Sequence, residues 1–218
     1  MKKQVLCALL LILVAGYSGT SQTRILRSPF VSINVGGFMT SLEDFSKIYD
    51  SNLGFAFGAS LGLPMSSRTY LYGKATYFAK SDIPPVISRN IYSNAYSESG
   101  DGGRAYFRQW IINVGIQYNL FLSDDFTLGM NGGVTYTRVS ETLPIPATGV
   151  SSSLHGSGAL GMFGGLAIEK NFLESPFSIF AEAQHNFVRH DLIDQVGDYG
   201  GTNLTLGIRY YFRERRTS

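Results

Sequence analysis

The chain has 218 residues, only 16% of them charged and 25 of them glycine, with a formal net charge of +2. That length suits one domain plus targeting material, and the charge lies well below the roughly 25% usual for soluble domains. A single cysteine excludes a disulfide framework and a cysteine-based metal centre, and the near-neutral balance offers no global positive field for nucleic acid.

Lys2 and Lys3 precede the apolar run Val5 to Ala15, and the small-residue stretch Gly16 to Ser21 follows. Basic start, short apolar core and small-residue exit predict a secretory signal peptide over residues 1–21. The run falls short of the roughly 18 apolar residues that a spanning helix needs. Its removal takes away Cys7 and two of the eighteen basic residues, leaving sixteen basic against sixteen acidic residues in 22–218. No later stretch is long and apolar enough for a transmembrane helix.

After a short polar lead, Val31, Ile33, Val35 and Met39 alternate with Ser32, Asn34 and Gly36. A polar segment, Thr40 to Asn52, leads to Leu53, Phe55, Phe57, Ala59, Leu61 and Leu63, interleaved with small residues. The turn Pro64 to Arg68 precedes Tyr70 to Ala79, where Leu71, Gly73, Ala75 and Tyr77 take one face and Tyr72, Lys74, Thr76 and Phe78 the other. Beyond the irregular stretch Lys80 to Gly103 comes the clearest alternation, Trp110, Ile112, Val114, Ile116, Tyr118 and Leu120 against Gln109, Asn113, Gly115, Gln117 and Asn119. A Ser123-Asp124-Asp125 turn returns through Phe126, Leu128, Met130, Val134 and Tyr136, and the long segment Val139 to Ser157 follows. Strand six, about Gly158 to Glu169, is expected to turn Leu160, Met162, Leu166 and Ile168 outward; strand seven does so with Ile179, Ala181, Ala183 and Phe187. Arg189 to Gly201 is the last long segment. Leu204, Leu206, Ile208, Tyr210 and Phe212 then alternate with Asn203, Thr205, Gly207, Arg209 and Tyr211.

A period of two with one wholly apolar row is a strand with one face in an apolar medium. The seven prolines fall at strand starts or in connections, as a hydrogen-bonded ladder requires. Connections alternate long and short, the rhythm of external loops and periplasmic turns. Eight strands of roughly 9–11 residues match what a tilted bilayer crossing needs. The polar row is Gly, Ser, Thr, Asn and Gln, too poor in charge for the water face of a soluble barrel. It suits a narrow lumen, where small residues make room for Tyr72, Ile111, Phe163 and Phe180. The apolar row is therefore assigned to lipid. Tyr118, Phe126, Tyr210 and Phe212 form the expected periplasmic girdle, and Trp110 and Tyr136 sit nearer the outer interface.

Thr205, Gly207, Tyr210 and Phe212 sit in a polar-x-Gly-x-x-aromatic-x-aromatic pattern that resembles the C-terminal assembly signal of bacterial outer-membrane β-barrels. With the signal peptide and the eight-strand rhythm, the chain resembles small outer-membrane barrels of the OmpA transmembrane domain, OmpX and PorT-like kind. The resemblance implies an all-β, eight-stranded antiparallel up-and-down transmembrane barrel in the bacterial outer membrane, with strands within about 30–212. It also implies the barrel-assembly machinery, outer-membrane lipid and lipopolysaccharide as partners. Two departures stand out: the charged tail 213–218 follows Phe212, and no cell-wall-binding domain follows the barrel.

Three charges lie well inside the strands: Lys74, Glu182 and Arg209, with Glu169 near an end. Buried charges must be paired, so a lumen ion-pair network is expected, with Arg209 facing Glu182 on the adjacent strand and Lys74 approaching from across the barrel. His155-Gly156-Ser157 has the His-x-Ser spacing of outer-membrane lipid A deacylases. Gly158 departs from that family's pattern, and Glu169 would lie at the opposite membrane face, so no enzyme is expected. His190, Asp191, Asp194 and Asp198 match no established cation loop, and no cofactor motif is present. The Lys80 to Gly103 loop mixes Tyr92 and Tyr96 with Asn, Ser and Gly, a composition suited to adaptable contacts. A non-enzymatic protein acting through its external loops in binding, adhesion or envelope integrity is the leading expectation. A narrow pore is the alternative, and a lipid A-modifying enzyme the weakest.

Overall fold

The computed structural model describes residues 28–212 apart from 43–44, 83–87, 90–95, 98–104, 124, 145–150, 156–157, 173–174 and 193–194. The expected signal peptide over residues 1–21, Ser157 and the 213–218 tail lie outside the described residues.

Eight long strands form the barrel: β1 (Phe30–Thr40), β2 (Leu53–Pro64), β3 (Thr69–Asp82), β4 (Ala105–Leu122), β5 (Phe126–Pro144), β6 (Ala159–Asn171), β7 (Phe177–Phe187) and β8 (Gly201–Tyr211). Each pairs antiparallel with the next, and β8 closes on β1 with Tyr210 opposite Val31 and Thr202 opposite Met39. Closure leaves no unpaired edge, the only sheet arrangement that a bilayer tolerates.

The register can be followed round the wall. Phe30 faces Gly62, then in turn Tyr72, Gly115, Gly133, Phe163, Asn186 and Gly201. The circuit returns to β1 at Thr40, ten residues beyond its start. Ten residues of shear over eight strands tilts them by about 40°. It also offsets each strand from the next by about one and a quarter residues, which decides which side chains share a level inside.

Burial follows the alternation read from the sequence. Inward Ser32, Asn34, Lys74, Asn113, Asn131, Glu182 and Arg209 are buried, while outward Ile33, Phe55, Leu160, Leu206 and their neighbours are exposed. A polar interior inside an apolar exterior reverses the soluble pattern and belongs to lipid. The apolar band ends outside at three exposed arginines, Arg108, Arg138 and Arg189. From Phe126 to Arg138 along β5, the tilted strand rises about 30 Å, a bilayer's hydrocarbon thickness.

The structure departs from the sequence reading above the membrane. The segment Thr40 to Asn52, expected as a polar connection, contains the helix α1 (Phe45–Tyr49). Phe45 and Tyr49 are buried there against Phe38, Phe78, Phe107, Ile111 and Val139. Asp50 ends the helix in the left-handed region, at φ 61°. β4 and β5 also run past their expected ends, and Ser151–His155 extends the wall by pairing with Ser140–Pro144. Arg189–Leu192 and Gln195–Asp198 form a hairpin within the last long segment.

Candidate functional site: the charged layers of the lumen

Lys74 and Glu182 stand on strands four apart in an eight-stranded wall, directly across the lumen. The strand offset brings them to one level, and Lys74 Nζ forms an ion pair with Glu182 Oε1, both side chains 1% exposed. Tyr72 donates its hydroxyl hydrogen bond to Glu182 Oε2 at 3.1 Å. This beam crosses the middle of the barrel.

Arg209 does not meet the partner expected for it. Its register partner on β7 is Ser178, whereas Glu182 lies opposite Thr205, four residues further up. Arg209 Nη1 instead pairs at 2.5 Å with Glu169 Oε2, two strands away. The tilt explains the exchange: adjacent-strand residues at one register differ in height, while Glu169 and Arg209 end up level. Ser178 and Tyr211 also donate to Glu169 Oε1, the latter at 2.7 Å. The Arg209 guanidinium lies 3.9 Å from the Phe30 ring centroid and 4.9 Å from that of Phe180. Both rings sit opposite a glycine: a Cβ on Gly62 would fall 2.1 Å from Phe30, and one on Gly207 would fall 2.6 Å from Phe180. Gly207 thus has a packing role inside the C-terminal pattern.

Above the beam lie uncharged amides and hydroxyls, including Thr76, Asn113, Thr135, Gln184 and Asn203. Each carries a buried polar atom with no hydrogen-bond partner among the described residues. Internal water satisfies such surfaces. Above this layer, α1 fills the outer mouth. Phe45 stacks on Tyr49 at 4.5 Å and meets Phe107 edge-on at 4.8 Å. Tyr49 donates to Glu141 Oε1 at 2.8 Å, and Lys80 donates to the Ser51 and Leu53 carbonyls. Burial, followed by the adjacent Glu141, pushes the Tyr49 phenol up; burial also raises Glu141, partly offset by the Tyr49 hydrogen bond.

The lumen is therefore obstructed at successive levels: an aromatic plug outside, the Lys74–Glu182 beam in the middle, and Arg209–Glu169 among aromatic rings at the periplasmic end. No protein-family model and no curated protein matches the sequence. Solved structures do. Neisserial surface protein A is 14% identical, covering 84% of this chain and 97% of that one with a TM-score of 0.61. A major outer-membrane protein of Thermus thermophilus is 10% identical, covering 84% and 99% with a TM-score of 0.52. Ail, the attachment invasion locus protein of Yersinia pestis, is 12% identical, covering 85% and 99% with a TM-score of 0.51. The fold is that of the small eight-stranded outer-membrane barrels.

The other expected site residues fall as follows in this outer-membrane barrel. Inward Thr205 is buried, and outward Tyr210 packs its ring against Phe177 at 5.1 Å and Phe212 at 5.2 Å. The His155 backbone pairs with Ser140. Glu169 is engaged by Arg209, Ser178 and Tyr211 at the far membrane face. Asp198 Oδ1 accepts from the Gly200 amide at 2.8 Å. His185 escaped the sequence reading altogether. It sits in the outward row and shares a 2.8 Å hydrogen bond with Thr202, a polar pair on the lipid face. Its place between Ala183 and Phe187 in the alternating row was the available signal.

Proposed function

We propose that this is a non-enzymatic outer-membrane barrel with a closed lumen, which acts through its external loops on ligands outside the cell. The observation that carries the reading is the lumen itself: ion pairs and an aromatic plug obstruct it at separate levels, leaving the external surface as the part free to act. Eight strands ordinarily enclose only enough room for their own side chains, which weighs against the pore alternative. Glu169, the third member that the His155 and Ser157 spacing suggests, is engaged by Arg209 at the opposite membrane face, which weighs against the lipid A-modifying alternative. The apolar outer wall supports lipopolysaccharide and lipid as its surroundings, and the Thr205 to Phe212 pattern supports the barrel-assembly machinery as its insertion partner.

The loop over residues 83–103 is the first candidate contact surface, because a rigid scaffold with variable loops is the usual division of labour. A solved structure of Ail, 13% identical with a TM-score of 0.50, is a complex with the heparin analogue sucrose octasulfate. That makes sulfated glycans a sensible first ligand class to try. Cells displaying the protein, with and without residues 83–103, are to be compared for binding to neutral and sulfated glycans and to host-cell surfaces. Binding that disappears with the loop while the barrel still folds is the expected result. Undiminished binding after loop removal would place the activity elsewhere.

A further inference from the structure

The outer margin of the lipid-facing wall carries two arginines that the lumen and loops do not use. Arg108 on β4 and Arg138 on β5 both project outward and are exposed. In the ladder Arg138 stands opposite Trp110, and Arg108 opposite Ser140. The two arginines are therefore diagonal neighbours on one face, with backbones roughly 7–8 Å apart. The strand offset sets them within a residue of one another in height. Neither meets a carboxylate among the described residues: the ion pairs there are Lys74–Glu182, Lys170–Asp125 and Arg209–Glu169. The nearby Glu141 faces inward and accepts from Tyr49. Arg189, at the same level elsewhere on the wall, differs in having Asp198 opposite it in its hairpin.

Their surroundings define the medium. Tyr106, Trp110 and Tyr136 are all half-exposed around the pair, the aromatic setting of a membrane interface. Ala79 stands beside Arg108 on β3, leaving that flank low. Below lie Ile112 and Val134, both exposed to the hydrocarbon. Two uncompensated guanidinium groups at this depth face the headgroup layer of the outer leaflet, where phosphate is the abundant anion. Guanidinium binds phosphate oxygens through paired, charge-assisted hydrogen bonds.

We propose that Arg108 and Arg138 clamp the phosphate of an outer-leaflet lipid, fixing one lipid headgroup against β4 and β5. The inference rests on the outer-membrane reading above and names a lipid contact within it. Trp110, the chain's single tryptophan, lies beside the clamp and reports on it. The full chain is refolded into vesicles of acyl-brominated phosphatidylcholine, whose bromine quenches Trp110. Unbrominated bisphosphorylated lipid A is then added as a minor component.

Fluorescence should recover beyond the bulk lipid composition, with a preference of roughly five-fold for each arginine. R108A and R138A should each lose about that factor, and the double variant should follow bulk composition. High salt should weaken the wild-type preference. Recovery that merely tracks bulk composition in the wild type, or that persists in the double variant, overturns the clamp. So does release of lipid A by soluble inorganic phosphate, which would make the site one for a free anion. Unquenched Trp110 in brominated phosphatidylcholine would instead sink the bilayer reading, and the clamp with it. Heat-dependent gel mobility checks the fold of each variant, and the wild-type salt and lipid series decides the question even if the double variant fails to fold.

Discussion

Lys74 and Glu182 show what a buried charge does to its partner. Both are withdrawn from water, and among the described residues Tyr72 supplies the additional hydrogen bond to Glu182. Removing one charge strands the other, which typically costs about 3–5 kcal/mol, whereas replacing both with apolar groups of similar volume is often neutral. K74M should therefore lower the urea midpoint of the barrel in heat-modifiability gels, and K74M/E182L should recover most of the loss. A double variant as unstable as K74M would mean that the pair contributes through its own attraction rather than by mutual neutralisation. At this scale the inward facing of Glu182 and Arg209 was legible from alternation, whereas that of Lys74 rested mainly on its own charge, because its strand alternates less cleanly. The partner of Arg209 was not. Sequence spacing suggested Glu182 because the two strands are adjacent, but the ten-residue shear shifts levels so that Glu169, two strands away, is the one in reach.

The plug α1 is an element that charge and hydropathy averages conceal. Leu42, Phe45 and Tyr49 fall at helical spacing within a segment otherwise rich in Ser, Asp, Glu and Lys, and that spacing was the signal available. Its packing adds a pH response. Burial raises the Glu141 carboxyl above its ordinary value of 4.5, so the docked state holds a proton that the undocked state releases more readily. The resulting stabilisation of docking is fully present below the ordinary carboxylate value and is lost as pH rises through the raised one. Hydrogen exchange of residues 41–52 should accordingly quicken from acidic to neutral pH, and E141Q should flatten that dependence. Exchange that slows with rising pH, after correction for its intrinsic pH dependence, would contradict this assignment.

For the whole molecule the obstructions act in series, so opening one should not open the barrel. Wild-type protein in planar bilayers should give no steady conductance, and neither F45A/Y49A nor K74A/E182A alone should do more than produce brief events. Combining all four substitutions should produce more frequent openings, because the outer plug and central beam are then both gone. A sustained channel in the wild type would reverse the preference for a closed barrel. The sequence by itself determined the eight strands, their faces and the bilayer as solvent. A period of two is a local property, and the choice of lipid or water for each row is written in its composition. Only the tertiary structure decided which charges meet, how far β4 and β5 rise above the membrane, and that α1 folds into the mouth. Those outcomes depend on shear, tilt and closure, which belong to the whole circuit of hydrogen bonds and to no single strand.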